Sequence, residues 1–199
     1  MNELSNKDWT GNRVSYTKTN GYANDAKQER HHEDYYATEP KAIEELLKIE
    51  TFQDVWECAC GEGHLSEVLD KNGILKKASD LVDRGYGSQE DFLNSSLSYH
   101  GDIITNPPYK YAEQFIRKAL SSVDIGNKVA MFLPIRYLEG RVRKKMFEEL
   151  PPQTVYVFSY RIKCAMNGEF EKMKGGSAVC YAWYVWERGY QGETVIKWI

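Results

Sequence analysis

The sequence holds no apolar run long enough to cross a bilayer and no signal-peptide pattern at its start. This excludes a spanning helix, and the chain is read as cytoplasmic. Cysteine is scarce: Cys58, Cys60, Cys164 and Cys180 are the full set. Cys58-x-Cys60 is not a zinc spacing and has no Cys or His pair near it, so no metal is expected and the thiols are read as reduced. His31-His32 is read as solvent-facing rather than as a ligand pair. An excess of positive charge is missing too, with 26 Lys and Arg against 29 Asp and Glu. A chain-wide nucleic-acid signature is therefore absent, although the segment 136–174 is net +4 and leaves −7 for the rest. There is no repeat and no low-complexity tract, which excludes a solenoid.

What is present points to one α/β domain. Residues 1–34 are polar and aperiodic and read as an arm, disordered or extended, while 35–199 read as a single domain. Thr38 is a plausible N-cap, with Pro40 in the first turn of a helix carrying Ile43, Leu46, Leu47 and Ile49. Val55-Trp56-Glu57 then reads as a buried strand. It runs into Cys60-Gly61-Glu62-Gly63 and a helix from His64 to Lys71 with Leu65, Val68 and Leu69 inward. Strand, glycine turn, helix is a nucleotide-binding corner in which glycine lets backbone approach a ligand. The third glycine of a dinucleotide fingerprint would fall at Ser66, which argues against NAD or FAD. A second strand is expected over 77–82, placing Asp80 about twenty residues after Gly61, where an acid typically holds ribose hydroxyls. After a Gly/Ser-rich loop, Asp91 can accept from an adenine amine and Phe92 can pack on its face.

The stretch that organises the chain is Thr105-Asn106-Pro107-Pro108-Tyr109. Residues 102–105 read as a short buried strand, stopped by two prolines that give no N–H to a ladder. A helix is expected from Tyr111 to Leu120, with Phe115, Ile116, Ala119 and Leu120 on one face. Asn106 and Tyr109 thus fall at the carboxyl end of a strand, where open α/β sheets bind ligands. The chemistry suits a planar exocyclic amine, a poor nucleophile because its lone pair is delocalised. The Asn106 side-chain oxygen and the Pro107 carbonyl can each accept one amine hydrogen and favour a more tetrahedral nitrogen. Tyr109 can stack on the ring that carries the amine.

Further along, 128–133 reads as a buried strand that ends at Pro134 to Leu138, followed by a helix over 141–150 that Pro151-Pro152 stops. Strands follow over 155–160 and 178–186, and residues 194–199 read as a short edge strand. The segment 163–176 reads as a long, charged, Gly-rich loop carrying one aromatic, Phe170.

On the Glu57-Cys58-Ala59-Cys60-Gly61-Glu62-Gly63 run and the Asn106-Pro107-Pro108-Tyr109 motif, the chain resembles class I S-adenosylmethionine-dependent methyltransferases. Within them it is most similar to small phage-type DNA N6-adenine methyltransferases, in the order that puts the cofactor motif first. The resemblance covers roughly residues 35 to 199. It implies a Rossmann-like seven-stranded sheet, mostly parallel with an antiparallel final strand and helices on both faces. It implies S-adenosyl-L-methionine as cofactor and DNA as partner, with RNA left open. Cofactor contacts carried over are Tyr36 and Thr38 (methionine carboxylate), Glu57 (amino group), Ala59, Gly61 and Gly63 (lining), Asp80 (ribose), and Asp91 and Phe92 (adenine). Asn106, Pro107, Pro108 and Tyr109 carry the catalytic role. Substrate contacts are expected from Tyr109, Arg136, Arg141, Arg143, Phe170 and Lys172. Two departures stand out: Ala59 where many members have glycine, and no separate target-recognition domain. The expected activity is methyl transfer to the N6 amine of DNA adenine. The alternatives are the same chemistry on RNA adenine or a protein glutamine, or a catalytically silent cofactor binder.

Overall fold

The computed structural model describes residues 36–166, residue 170 and residues 179–199. The elements run β1 (Tyr36–Thr38), α1 (Lys41–Leu47), β2 (Val55–Glu57), α2 (His64–Lys71), β3 (Leu75–Asp80), β4 (Ser88–Gln89) and β5 (Ile103–Thr105). A 3₁₀ turn over Tyr109–Tyr111 leads into α3 (Ala112–Ser122). Then come β6 (Lys128–Pro134), a second 3₁₀ turn over Ile135–Leu138, α4 (Arg141–Glu149), β7 (Thr154–Val157), β8 (Cys164–Met166), β9 (Tyr181–Glu187) and β10 (Val195–Trp198).

The main sheet has eight strands in the order β10-β7-β9-β6-β5-β2-β3-β4. All neighbours are parallel except β9, which is antiparallel to both β6 and β7. The expected mostly parallel architecture is present. The eighth strand is β10, the short edge strand foreseen at the C-terminal end of the sequence, added beside β7. The central strands β5, β6 and β9 are buried on both faces, as a sheet covered by helices on both sides requires, and their interiors are apolar. Two apolar clusters result. On one face Trp56, Ile103, Val129, Met131, Tyr184 and Trp186 meet the inward residues Phe115, Ile116 and Ala119 of α3. On the other, Ile104, Ala130, Phe132, Trp183 and Val185 meet Ile43 and Leu46 of α1 and Leu65 and Leu69 of α2.

Three local expectations are corrected. Thr38 does not cap α1: Pro40 stands at the cap position and Thr38 ends β1. The reason is a tertiary pairing invisible to local propensity. Tyr36–Thr38 pairs antiparallel with Cys164–Met166 as a separate two-stranded sheet. The same pairing gives strand structure to the start of the segment read as a loop from residue 163. Finally, β3 begins and ends two residues earlier than expected, which makes Asp80 its last residue.

Candidate active site

A cavity of about 560 Å³ opens at the carboxyl ends of β2, β3 and β5. Strand order reverses at β2, which lies between β3 and β5, so the cavity sits at the sheet's topological switch point. Its volume is that of a site for a nucleotide-sized ligand. The catalytic candidates Asn106, Pro107, Pro108 and Tyr109 all line it. So do Tyr36, Thr38, Glu57, Ala59, Gly61, Asp80, Asp91 and Phe92 of the expected cofactor set.

The β2–β3 wall is held by its own hydrogen bonds. The Gly61 N–H donates to Asp80 Oδ2 at 2.8 Å, and the Val82 N–H donates to Oδ1 at 3.0 Å. Gly61 adopts φ +56, a left-handed turn that suits glycine and brings its amide onto the carboxylate. Asp91 closes its own turn, accepting from the N–H groups of Leu93 (3.0 Å) and Asn94 (3.3 Å) and from Asn94 Nδ2 (2.6 Å). Phe92 is buried edge-on against Trp56, ring centroids 5.2 Å apart, and also packs on Phe115. At the floor, Glu57 is 2% exposed and accepts a hydrogen bond from the Ser66 hydroxyl. Burial, with a smaller push from Asp80, raises its pKa to about 8 against the opposing pull of the Ser66 bonds. A buried acid without a cationic partner favours a ligand that brings one.

The β5 wall differs. Asn106 donates from Nδ2 to the backbone carbonyl of Tyr36 at 2.9 Å. Its Oδ1 is buried and has no hydrogen-bond partner among the described residues. Pro108 is extended at φ −61 and ψ 115, and the 3₁₀ turn that follows carries Tyr109. The Tyr109 hydroxyl points inward beside Tyr181 and Cys164, and burial pushes its pKa well above the ordinary phenol value. Its ring lines the cavity, with the Tyr181 ring centroid 6.2 Å away.

Gly63 lies outside the cavity lining. At φ +89 it starts α2, and a Cβ there would overlap the Tyr86 ring. Arg136, Arg141 and Arg143 are outside the lining as well. Arg143 is spent on its own loop: Nε donates to the Glu139 carbonyl at 2.6 Å, and the guanidinium lies 5.0 Å over the Tyr137 ring. Phe170 sets its ring edge-on to that of His64, centroids 5.5 Å apart, and His64 lines the cavity. Lys172 and the arm at 1–34 fall outside the described residues.

Sequence reasoning passed over His64, Arg84 and Tyr111, all of which line the cavity. His64 carried a usable signal, since the first residue after a glycine turn stands at a helix N-terminus beside the ligand. Tyr111 ends the 3₁₀ turn that Pro107-Pro108 starts. Arg84 carries no comparable signal. Cys58 and Cys60 line the cavity too, but burial lifts Cys58 well above the usual thiol range and Cys60 to about 12, so both stay protonated. No group of three or more His, Cys, Asp or Glu that could hold a metal ion occurs among the described residues. Nor is any described helix long and apolar enough to cross a membrane.

No family model and no curated protein matches the sequence. Among solved structures the chain is similar to a candidate class I S-adenosylmethionine-dependent methyltransferase from Listeria monocytogenes. The identity is 12% and the TM-score 0.50, over 80% of this chain and 62% of that one, so the chain spans less than two thirds of its neighbour's length. It is also similar to a candidate hemolysin from Lactococcus lactis (12% identity, TM-score 0.55, 78% of this chain and 90% of that one). A candidate hemolysin from Streptococcus thermophilus matches at 10% identity and TM-score 0.54, over 77% and 66%. At these identities the likeness is one of fold: the chain has the Rossmann-like sheet of class I methyltransferases.

Proposed function

We propose that this chain is an S-adenosylmethionine-dependent N-methyltransferase acting on the exocyclic N6 amine of adenine in DNA. The observation that carries the reading is the buried, unpartnered Oδ1 of Asn106, set beside the Tyr109 ring at the mouth of β5. An acceptor left empty there is suited to an incoming N–H. The other wall fits the cofactor. Buried Glu57 faces its ammonium, Asp80 its ribose, Asp91 and Phe92 its adenine, and Tyr36 and Thr38 its carboxylate, while Ala59 and Gly61 allow close approach.

When bound, S-adenosylmethionine supplies an electrophilic methyl on a sulfonium, whose sulfur takes the electron pair of the broken C–S bond. The chain's own work is positioning. Asn106 Oδ1 and the Pro107 carbonyl each accept one hydrogen of the amine, concentrating its lone pair on nitrogen. Tyr109 holds the base by its face, so that nitrogen and methyl meet in line. As the N–C bond forms, the nitrogen becomes cationic and sheds one of its two hydrogens to solvent. The two acceptors stabilise that developing positive charge more than they stabilise the neutral amine. For a duplex substrate the base must leave the stack to reach this depth. Exposed Arg136 and Arg141 outside the cavity are suited to phosphates, Phe170 beside His64 is suited to the face of a base, and Lys172, outside the described residues, is kept as a further phosphate contact by its charge alone.

The test is a transfer assay with radiolabelled S-adenosylmethionine and, in parallel, double-stranded DNA, single-stranded DNA, total RNA and a protein extract. Label recovered as N6-methyladenine from DNA is the expected result. Label in RNA or in glutamine retains the mechanism and replaces the substrate. No label, with cofactor binding measured by calorimetry, overturns the enzymatic reading in favour of a binding protein.

A further inference from the structure

We infer that β1 is part of the catalytic apparatus: the backbone carbonyl of Tyr36 sets the flip of the Asn106 amide and makes asparagine, rather than aspartate, the residue this site needs. The inference rests on the amino-methyltransferase reading above.

β1 pairs with β8 in the register Ala37↔Ala165 and Thr38↔Cys164, and just beyond it the Glu39 N–H donates to the Lys163 carbonyl at 3.0 Å. In an antiparallel ladder, residues facing the partner alternate with residues facing away. Glu39 and Ala37 therefore spend their backbone groups on β8, and Tyr36 turns its carbonyl to the opposite edge. That carbonyl accepts the Asn106 Nδ2 hydrogen at 2.9 Å. A planar amide fixed at its nitrogen has its oxygen fixed as well, and that oxygen is the buried acceptor with no partner among the described residues. The catalytic oxygen is thus aimed by two segments remote in sequence, 36–38 and 164–166, which grip each other before they grip Asn106.

Aspartate at this position would offer two acceptor oxygens and no hydrogen. Ionised, it sets an oxygen against the Tyr36 carbonyl oxygen and must rotate away or take up a proton. Protonated, it donates O–H to that carbonyl and leaves its other oxygen for the amine, restoring the native pattern. A role as simple acceptor would instead tolerate aspartate at every pH.

The experiment uses Asn106→Asp in the full chain, with two readouts. The first is independent of activity: the introduced carboxyl is titrated by carbon-13 NMR, and a pKa well above the ordinary carboxylate value of about 4 is expected. The second is kcat against pH on whichever substrate the wild type methylates. The variant should fall about tenfold per pH unit above the pKa of its new carboxyl and approach wild type in acid, with wild type showing no matching decline. Ordinary titration of that carboxyl, or a variant as active as wild type at pH 8, overturns the inference.

A second variant guards against misfolding at position 106. Ala165→Pro removes the β8 hydrogen bond donor opposite Ala37 without touching the cavity lining. It should lower kcat at saturating cofactor about tenfold or more, because the aim of Asn106 is loosened; cofactor KM should rise with it, since β1 also carries Tyr36 and Thr38 of the proposed carboxylate contact. An unchanged kcat sinks the inference. A wild type that methylates nothing defeats the proposed function, while the titration of the Asn106→Asp carboxyl still decides whether the carbonyl sets the amide.

Discussion

On the β2–β3 side of the cavity the acids at the sheet's edge have protein partners. Asp80 holds the amides of Gly61 and Val82, Asp91 those of Leu93 and Asn94, and Glu57 the hydroxyl of Ser66. On the β5 side, Thr105 Oγ1 and Asn106 Oδ1 are buried with no hydrogen bond of normal geometry among the described residues. Under the proposed function, the difference separates holding from reacting. A wall that contacts only groups the reaction leaves unchanged, such as ribose, adenine and ammonium, gains from being finished in advance, because rigid carboxylates cost no reorganisation on binding. A wall that acts on a charge present only in the transition state gains from acceptors kept empty, because hydrogen bonds already satisfied would stabilise the ground state equally.

The largest effect should come from emptying the reacting wall. Asn106→Ala removes the orphan acceptor and the bond to Tyr36 together. It should lower kcat by about 10²–10³, the loss typical of a deleted transition-state hydrogen bond. Calorimetric cofactor affinity should stay within about threefold, since the holding wall is intact. A variant that loses both in equal measure would erase the distinction between the walls. Asn106 also contacts β1 through Tyr36, so the melting curve of the variant needs to be matched to wild type before kcat is compared.

Glu57 sharpens the same contrast, because it belongs to the holding wall yet carries the least compensated charge. Its folded pKa is near 8, against an unfolded value of 4.5. The native state therefore holds a proton that the unfolded chain gives up between those two pH values. Native stability should be greatest below about pH 4.5 as far as this group is concerned, and should fall as pH rises toward 8. Glu57→Gln should flatten that decline and leave the variant's Tm several degrees above wild type at pH 8, though not at pH 5. A cationic ligand reverses the balance by favouring the ionised acid. Cofactor affinity should then rise with pH up to about 8, with a proton released on binding near neutrality. Calorimetry in buffers of different ionisation enthalpy measures that proton directly. No proton release would mean that Glu57 does not meet the ammonium.

Gly63 is expected to act on stability alone. Alanine there would need φ +89 and would drive its Cβ into the Tyr86 ring. A loss of about 1–3 kcal/mol in denaturant unfolding follows. If cofactor affinity of the folded variant also fell sharply, Gly63 would belong to the lining after all.

Most of this organisation was legible in the chain, for local reasons. Helix α2 was read residue for residue, because a glycine turn starts it and Leu65, Val68 and Leu69 repeat at helical spacing. The strand before Asn106 was legible because two prolines end it. The long-range part was not. Thr38 reads locally as a cap, and only Cys164, 126 positions away, turns its segment into a strand. The link from Tyr36 to Asn106 is equally hidden, since it uses a backbone carbonyl that every residue type shares. Within the Arg136–Arg143 stretch, charge alone does not tell the residues apart: Arg136 and Arg141 are exposed, whereas Arg143 is folded back on Glu139 and Tyr137.

The smallest effect tests the reacting wall without touching its chemistry. Thr105 ends β5, pairs with Met131 and is fully buried, and its hydroxyl has only the nearby Cys58 thiol, a weak partner. Valine matches its shape, keeps the β-branched fit to the strand and removes the stranded oxygen. An unsatisfied buried hydroxyl costs about 1–3 kcal/mol, and part of that should return. Thr105→Val should therefore unfold at slightly higher denaturant, by up to about 1 kcal/mol, with an unchanged m-value. A clear loss of stability would mean that the hydroxyl is satisfied after all, by the Cys58 thiol or by an ordered water. The contrast between the walls would then rest chiefly on Asn106 Oδ1, the atom that the proposed chemistry needs.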